Sequence, residues 1–171
     1  GISINDTLLD TIVNDMIQKT VEINNCACSA IISNPLSDYL KLADTYQKLK
    51  EGFHIRMIRK QQWQYIFLDE LQYDRIMLHI SEDTEVHQFI RCKLGPLVEY
   101  DRAHDTQLLE TLEALIQNHN SRKLAAESLF LHRNTMVHRI NKIEEVLHCS
   151  LDDTEIMEQL EFAIKMKMYA H

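Results

Sequence analysis

Glycine and proline are scarce in this chain, three and two among 171 residues. So few breakers exclude a turn-rich β fold, and the abundance of Leu, Ile, Met, Glu and Lys favours a mainly helical one. No glycine-rich loop is present to cradle a phosphate, and no carboxylates pair on a nearby turn to hold magnesium. No run of about 18 apolar residues exists, which excludes a membrane-spanning helix. The four cysteines, Cys26, Cys28, Cys92 and Cys149, lack zinc spacing, because Cys26 and Cys28 have no second close pair. Reduced thiols in a cytoplasmic protein are expected, with no metal or cofactor and no catalytic residue. The start does not resemble a signal peptide, and Gly1 in place of Met points to a piece of a longer protein. With 45% apolar residues the chain can bury a sizeable core, as one large or two small domains.

What is present is a local charge anomaly. The formal net charge is -8, yet Ser121 to Lys142 carries five cations (Arg122, Lys123, Arg133, Arg139, Lys142) against one acid, Glu127. A basic segment in an acidic chain points to a phosphate-facing surface. Its pattern is that of two helices and a tight turn. Leu124, Ala125, Ala126 and Leu129 give the first helix an apolar side, and the paired alanines allow a close crossing. Phe130 and Leu131 make the turn. His132 to Asn134 open a second helix whose buried stripe is Met136, Ile140, Ile143 and Leu147.

That stripe predicts which side faces out. Asn134, His138, Asn141 and Lys142 project away from it, Thr135 and Arg139 flank them, and Arg133 lies in the first turn, so the helix is shaped to enter a major groove by its N-terminus. Arg133 suits guanine O6 and N7, Asn134 suits adenine, and Thr135 suits a phosphate or a thymine methyl. Arg122, Lys123, Arg139 and Lys142 are expected on the DNA backbone. A charged face on one amphipathic helix is ordinarily only solvated. The small-residue helix, the short turn and the local charge together tip the reading towards double-stranded DNA.

The segment LAAESLFLHRNTMVHRINKIEEVL, followed by LDDTEIMEQLEFAIKMKMY, resembles the C-terminal module of PucR/CdaR-type bacterial transcription regulators. The likeness continues upstream through Leu94 to Leu97, Tyr100 with Asp101, and Thr111 with Leu112, about 75 residues in register. The resemblance places the family's turn and recognition-helix positions on His132, Arg133, Asn134, Thr135, Arg139 and Ile140. The chain departs from it at Val137 and His138, where members carry a basic residue and then an aromatic, so no phosphate contact is expected at Val137. It implies an activator answering a small-molecule effector sensed upstream, with RNA polymerase as a further partner. A homodimer is expected separately, because one motif offers a small footprint and specific sites normally need two half-sites about one turn apart.

The front of the chain reads as α/β. Asp6 to Thr20 has helical spacing, with Leu8, Leu9, Ile12, Val13, Met16 and Ile17 inward and Asn24 and Asn25 as the break. Cys26 to Ile32 predicts a strand, and Ser37 or Asp38 caps a second helix over Leu40 to Lys50. Gly52 is expected to end that helix, and Phe53 to Ile58 to alternate as a second strand. This order resembles the rear half of the degenerate GGDEF-like domain of CdaR-type regulators. Without a Gly-Gly-Asp/Glu-Glu-Phe loop, a cyclase reading is poor.

Trp63, Tyr65 and Phe67 alternate as an edge strand or an aromatic patch, with an ordinary core contribution favoured. Asp69 to His79 predicts a helix, Asp83 to Ile90 a further turn or two, and Leu94 to Leu97, with Gly95 and Pro96, the seam before the C-terminal module. Leu151 to Asp153 reads as a turn and cap, and Ile156, Leu160, Ala163, Ile164 and Met168 as the stripe of a closing helix, with Met157, Met166 and Met168 favoured as core. The expected fold is mainly α with a small α/β N-terminal part and a C-terminal helix-turn-helix bundle. Residues 1–68 form the α/β remnant, 69–104 a helical connector and 105–171 the DNA-binding domain. Two other classes compete: a protein-interaction module that uses the helix pair for a partner, and a degenerate nucleotide-binding enzyme.

Overall fold

The computed structural model describes residues 6–60 and 64–170. Its elements run α1 (Asp6–Asn24), β1 (Ala30–Ile32), α2 (Leu42–Arg59), β2 (Tyr65–Phe67), α3 (Gln72–Ser81), α4 (Thr84–His104), α5 (Leu108–Gln117), α6 (Arg122–Ser128), α7 (Arg133–Leu147) and α8 (Thr154–Tyr169). The chain is thus mainly helical with a small α/β part and a C-terminal helical bundle, as the sequence predicts. It divides into two compact units, Gly1–His79 and Ile80–His171.

In the first unit β1 and β2 pair in parallel, Ala30 opposite Tyr65 and Ile32 opposite Phe67, with α2 as the crossover. Of the expected strand over Cys26 to Ile32 only Ala30–Ile32 forms. Tyr65 and Phe67 take the strand reading, and Trp63 lies outside the described residues. Asp38 rather than Ser37 is the cap, accepting the Leu40 amide (2.9 Å) ahead of a short 3-10 helix and then α2. Of the expected α1 stripe Val13 and Ile17 are buried, while Leu8, Ile12 and Met16 are exposed, so the inward stripe is narrower than its spacing predicts.

Gly52 overturns its expected role. α2 runs straight through it to Arg59, so Phe53 to Ile58 is helix and not strand. The left-handed residue that closes α2 is Lys60, φ 51°. Gly52 is glycine because of packing: a Cβ there would lie 2.6 Å from Ile31 Cδ1 and 2.9 Å from Leu71 Cδ1. Helix and strand meet over a missing side chain. Charged pairs then join α2 to α3, Arg59 to the buried Asp74 through two bonds (2.8 and 3.0 Å) and Arg75 to Glu51 (2.7 Å). The Tyr65 hydroxyl donates to Asp10 (2.7 Å), fastening α1 to β2.

The stretch 69–104, expected as one connector, holds α3 and the 21-residue α4 and is divided between the two units; in the second unit Gly95 with Pro96 sit inside α4 and do not mark a seam. An interior proline costs about 3 kcal/mol. Its neighbours Leu94 and Leu97 are 2% and 0% exposed, and two such side chains contribute about 3–6 kcal/mol. Burial therefore outweighs the breaker. Leu94 and Leu97 share a core with Leu112 and Leu115 of α5, Ala125 of α6, Met136, Ile140 and Ile143 of α7, and Leu160 and Ala163 of α8. Asp153 caps α8 through the Glu155 amide (2.9 Å). Met157 and Met166 are buried and Met168 is exposed.

The two helical glycines should respond oppositely to substitution. Gly95 has open space where a Cβ would go, so Gly95→Ala should stabilise by about 0.5–1 kcal/mol in urea unfolding. Gly52→Val should instead destabilise by about 1–3 kcal/mol, because Ile31 and the buried Leu71 must give way. A neutral Gly52→Val would refute the packing account.

Candidate nucleic-acid interface

The motif is built by its caps. The Ser121 hydroxyl accepts the Leu124 amide (3.4 Å) and starts α6. At its other end Phe130 turns left-handed, φ 55°. The Leu131 amide reaches back to the Ala126 carbonyl (2.8 Å) and the Phe130 amide to that of Glu127 (3.1 Å). This pair of bonds is a Schellman closure, which satisfies the last carbonyls and reverses the chain within two residues. Extended His132 then caps α7, its Nδ1 facing the Asn134 amide at 3.3 Å. The helix pair and turn fall where the residue pattern puts them.

Packing orients α7. Met136, Ile140 and Ile143 are buried, Leu147 is half-buried, and Ala125 and Ala126 of α6 are buried in the same core. On the open side lie His132, Arg133, Asn134, Thr135, His138 and Asn141, all exposed. No acid occupies the first turn of α7, so its partial positive charge is left to an anion. A cleft between α6 and α7 brings Arg122, Lys123 and Arg133 beside Val137.

The five cations are not equivalent. Arg122 holds Asp152 (2.8 Å), and Lys142 holds Glu145 (2.5 Å) with its ammonium 5.8 Å from the Tyr100 ring centre. Lys123 stands 4.0 Å from Glu127 with both side chains exposed, a pair worth little in water. Arg133 makes no ion pair among the described residues. Arg139 is half-buried and donates to the Thr111 hydroxyl (3.1 Å) and the Gln107 side-chain oxygen (3.2 Å). The structure thus engages Arg139 with the start of α5.

Asp101, read in the sequence only as part of a resemblance, belongs to the same arrangement. Its carboxylate accepts the Thr106 hydroxyl (2.6 Å) and the amides of Leu108 (2.7 Å) and Leu109 (2.9 Å), capping α5 from α4. Burial alone would push this carboxyl up. The Leu109 amide, the Thr106 hydroxyl, the Leu108 amide and the Arg139 charge outweigh it and hold the group below the ordinary aspartate value. The sequence could have offered Asp101 as a distant cap, but nothing in its spacing shows that Arg139 reaches α5.

Among the described residues no cluster of three or more His, Cys, Asp or Glu could hold a metal ion, and no helix is long and apolar enough to cross a membrane. Burial raises the Cys149 thiol above its usual value. Residues 108–166, which take in α5, α6, α7 and most of α8, match the family described as the PucR C-terminal helix-turn-helix domain. Residues 108–166 are thus a helix-turn-helix segment of the PucR C-terminal type. The PucR-type domain is a transcription regulator's module and not an enzyme's.

Two relatives from Bacillus subtilis (strain 168) extend the match. The chain is 32% identical over 91 residues to the purine catabolism regulatory protein, covering 53% of this chain and 17% of that protein. It is 31% identical over 133 residues to the proline-responsive transcriptional activator PutR, covering 75% and 32%. The chain therefore spans under a third of either relative. No solved structure matches.

Asp101→Ala should destabilise the PucR-type domain by about 1–2 kcal/mol in chemical unfolding, through loss of the α5 cap. Because the folded-state value is depressed, the carboxylate's contribution is fully present above the ordinary aspartate range and is lost as the pH falls through the lower folded value. Stability of Asp101→Asn should accordingly change less than wild type over that acid range, and equal slopes would contradict the capping role.

Proposed function

We propose that this chain is the sequence-specific DNA-binding part of a cytoplasmic transcription regulator, acting as a dimer and answering a small-molecule effector through the rest of the protein. The observation that carries this is Arg133. It is exposed and has no ion-pair partner among the described residues, in the first turn of a helix whose opposite stripe is buried. Asn134 and Thr135 read beside it, with His138 further along the same open face, while Lys123 positions the phosphate backbone. Arg122 and Lys142 join only by exchanging an acid for a phosphate. Arg139 orients α7 from behind.

The relatives support the regulatory part of this reading: one is a proline-responsive activator and the other a regulator of purine catabolism. Activation follows the first, and RNA polymerase is the partner that activation would call for. Dimerisation follows from size, since one module has a small footprint and specific sites normally need two half-sites about one turn apart. An effector can act only by binding two arrangements of that dimer unequally, for which about 1–3 kcal/mol of coupling is typical.

A second reading, a partner-protein surface, rests on Phe130, Leu124 and Val137, which are 96%, 48% and 43% exposed around the same helix pair. Selection from a random duplex library at near-physiological salt separates the two. The wild-type chain should enrich a motif with repeated half-sites. Arg133→Ala should lose about 1–3 kcal/mol and relax one base pair, whereas Lys123→Ala should weaken all duplexes alike and lower the salt slope by about one unit. No enrichment at all would overturn the DNA reading in favour of the partner surface.

A further inference from the structure

The C-terminal unit carries a groove that the DNA reading does not use. It lies between α4 and α8, lined by Glu85, Val86, Gln88, Phe89 and Cys92 of α4 and Phe162 of α8, with a volume of about 460 Å3. Its floor is aromatic: Phe89 and Phe162 meet edge to face with ring centres 5.7 Å apart, and Phe162 and Cys92 stay exposed. The polar lining side chains, Glu85 and Gln88, are exposed too, so no buried polar group would orient a small ligand. An apolar surface with a charged rim fits a protein partner.

Charge selects a second copy of this chain. Glu85 and Lys93 stand four residues to either side of Phe89, and Val86 and Cys92 three, spacings that share one face of a helix. A two-fold axis through Phe89 runs two copies of α4 antiparallel. It sets Glu85 of each copy against Lys93 of the other, and Val86 against Cys92, because a two-fold contact pairs residue i with j and j with i. The outer pairs are then opposite in charge and the inner pairs apolar. Neither charge is neutralised within its own chain. Among the described residues the ion pairs include neither Glu85 nor Lys93. Lys93 donates to the neutral Gln159, with its ammonium 5.7 Å from the Phe89 ring centre. We infer that two copies of the chain pair through α4 about Phe89, an inference that rests on the dimeric reading above and gives it a surface. Two crossing helices bury less than the roughly 1,600 Å2 of a standard interface, so the contact is weak alone and adjacent half-sites on DNA complete it.

The test is sedimentation equilibrium of this chain without DNA, in reducing buffer, from micromolar to millimolar concentration. Wild type should pass from monomer to dimer across that range. Glu85→Lys and Lys93→Glu should each weaken pairing roughly tenfold or more, since the two-fold axis repeats every like-charge contact. The double variant, Glu85→Lys with Lys93→Glu, should regain wild-type affinity. Glu85 also stands in the first turn of α4, where an acid favours the helix, but a loss through the helix end would persist in the double variant. A chain monomeric at every concentration, a dimer indifferent to the single variants, or a double variant no better than the singles would each overturn the proposal. A dimer indifferent to these charges would leave the dimeric DNA reading standing on another surface, and absence of DNA enrichment would leave this pairing untouched.

Discussion

Burial of one stripe on α7 is the constraint on which the C-terminal unit depends. Met136, Ile140 and Ile143 have almost no exposed surface, and together they contribute about 5–9 kcal/mol relative to exposure. No surface interaction of the motif approaches that figure, so the core sets the helix's rotation and the polar face follows. The alanine pair on α6 exists for the same reason, since larger side chains would hold the crossing helices apart. Arg133, Asn134, Thr135 and His138 are on the open side because Met136, Ile140 and Ile143 are not.

A stripe fixes rotation but leaves tilt soft, and polar contacts complete the arrangement. Arg139 runs from α7 to Thr111 and Gln107 at the start of α5, while Asp101 of α4 caps that same start. The result is a hydrogen-bonded chain from α4 through α5 to α7 in which Asp101 and Arg139 are half-buried and Thr111 is buried, a setting where such bonds count for more than in water. The α/β unit shows the complementary device. There α2 and β1 approach because Gly52 has no side chain.

What the sequence could show followed from periodicity and capping. The paired helices, the turn at Phe130 and the buried stripe were all legible, because each is written in residues a few positions apart. The errors share one cause. Gly52 and the pair Gly95 with Pro96 were read as breakers, which is their local meaning, but tertiary contacts decided otherwise: Ile31 and Leu71 claim the space above Gly52, and buried Leu94 and Leu97 carry the helix across Pro96. The alternation of Phe53, Ile55 and Met57 likewise mimicked a strand, yet in α2 only Ile55 of the three is buried. The engagement of Arg139 with α5 was not legible for the same reason, its partners lying 28 and 32 residues away.

That last point bears on how the proposed regulator meets DNA. In the sequence reading four cations face the phosphates and Arg133 a base; in the structure Arg139 is engaged with α5, and Arg122 and Lys142 each hold an acid. Arg133 and Lys123 remain readily available. Each phosphate neutralised contributes close to one unit to the salt slope, so with Arg133 on a base and Lys123 on the backbone the readily available cations give a weak, shallow electrostatic hold. A single copy would then be a poor DNA binder at physiological salt even with good base contacts. Affinity has to come from doubling the module, which is why the proposed function needs a second copy and why control of its arrangement is an effective point for an effector to act.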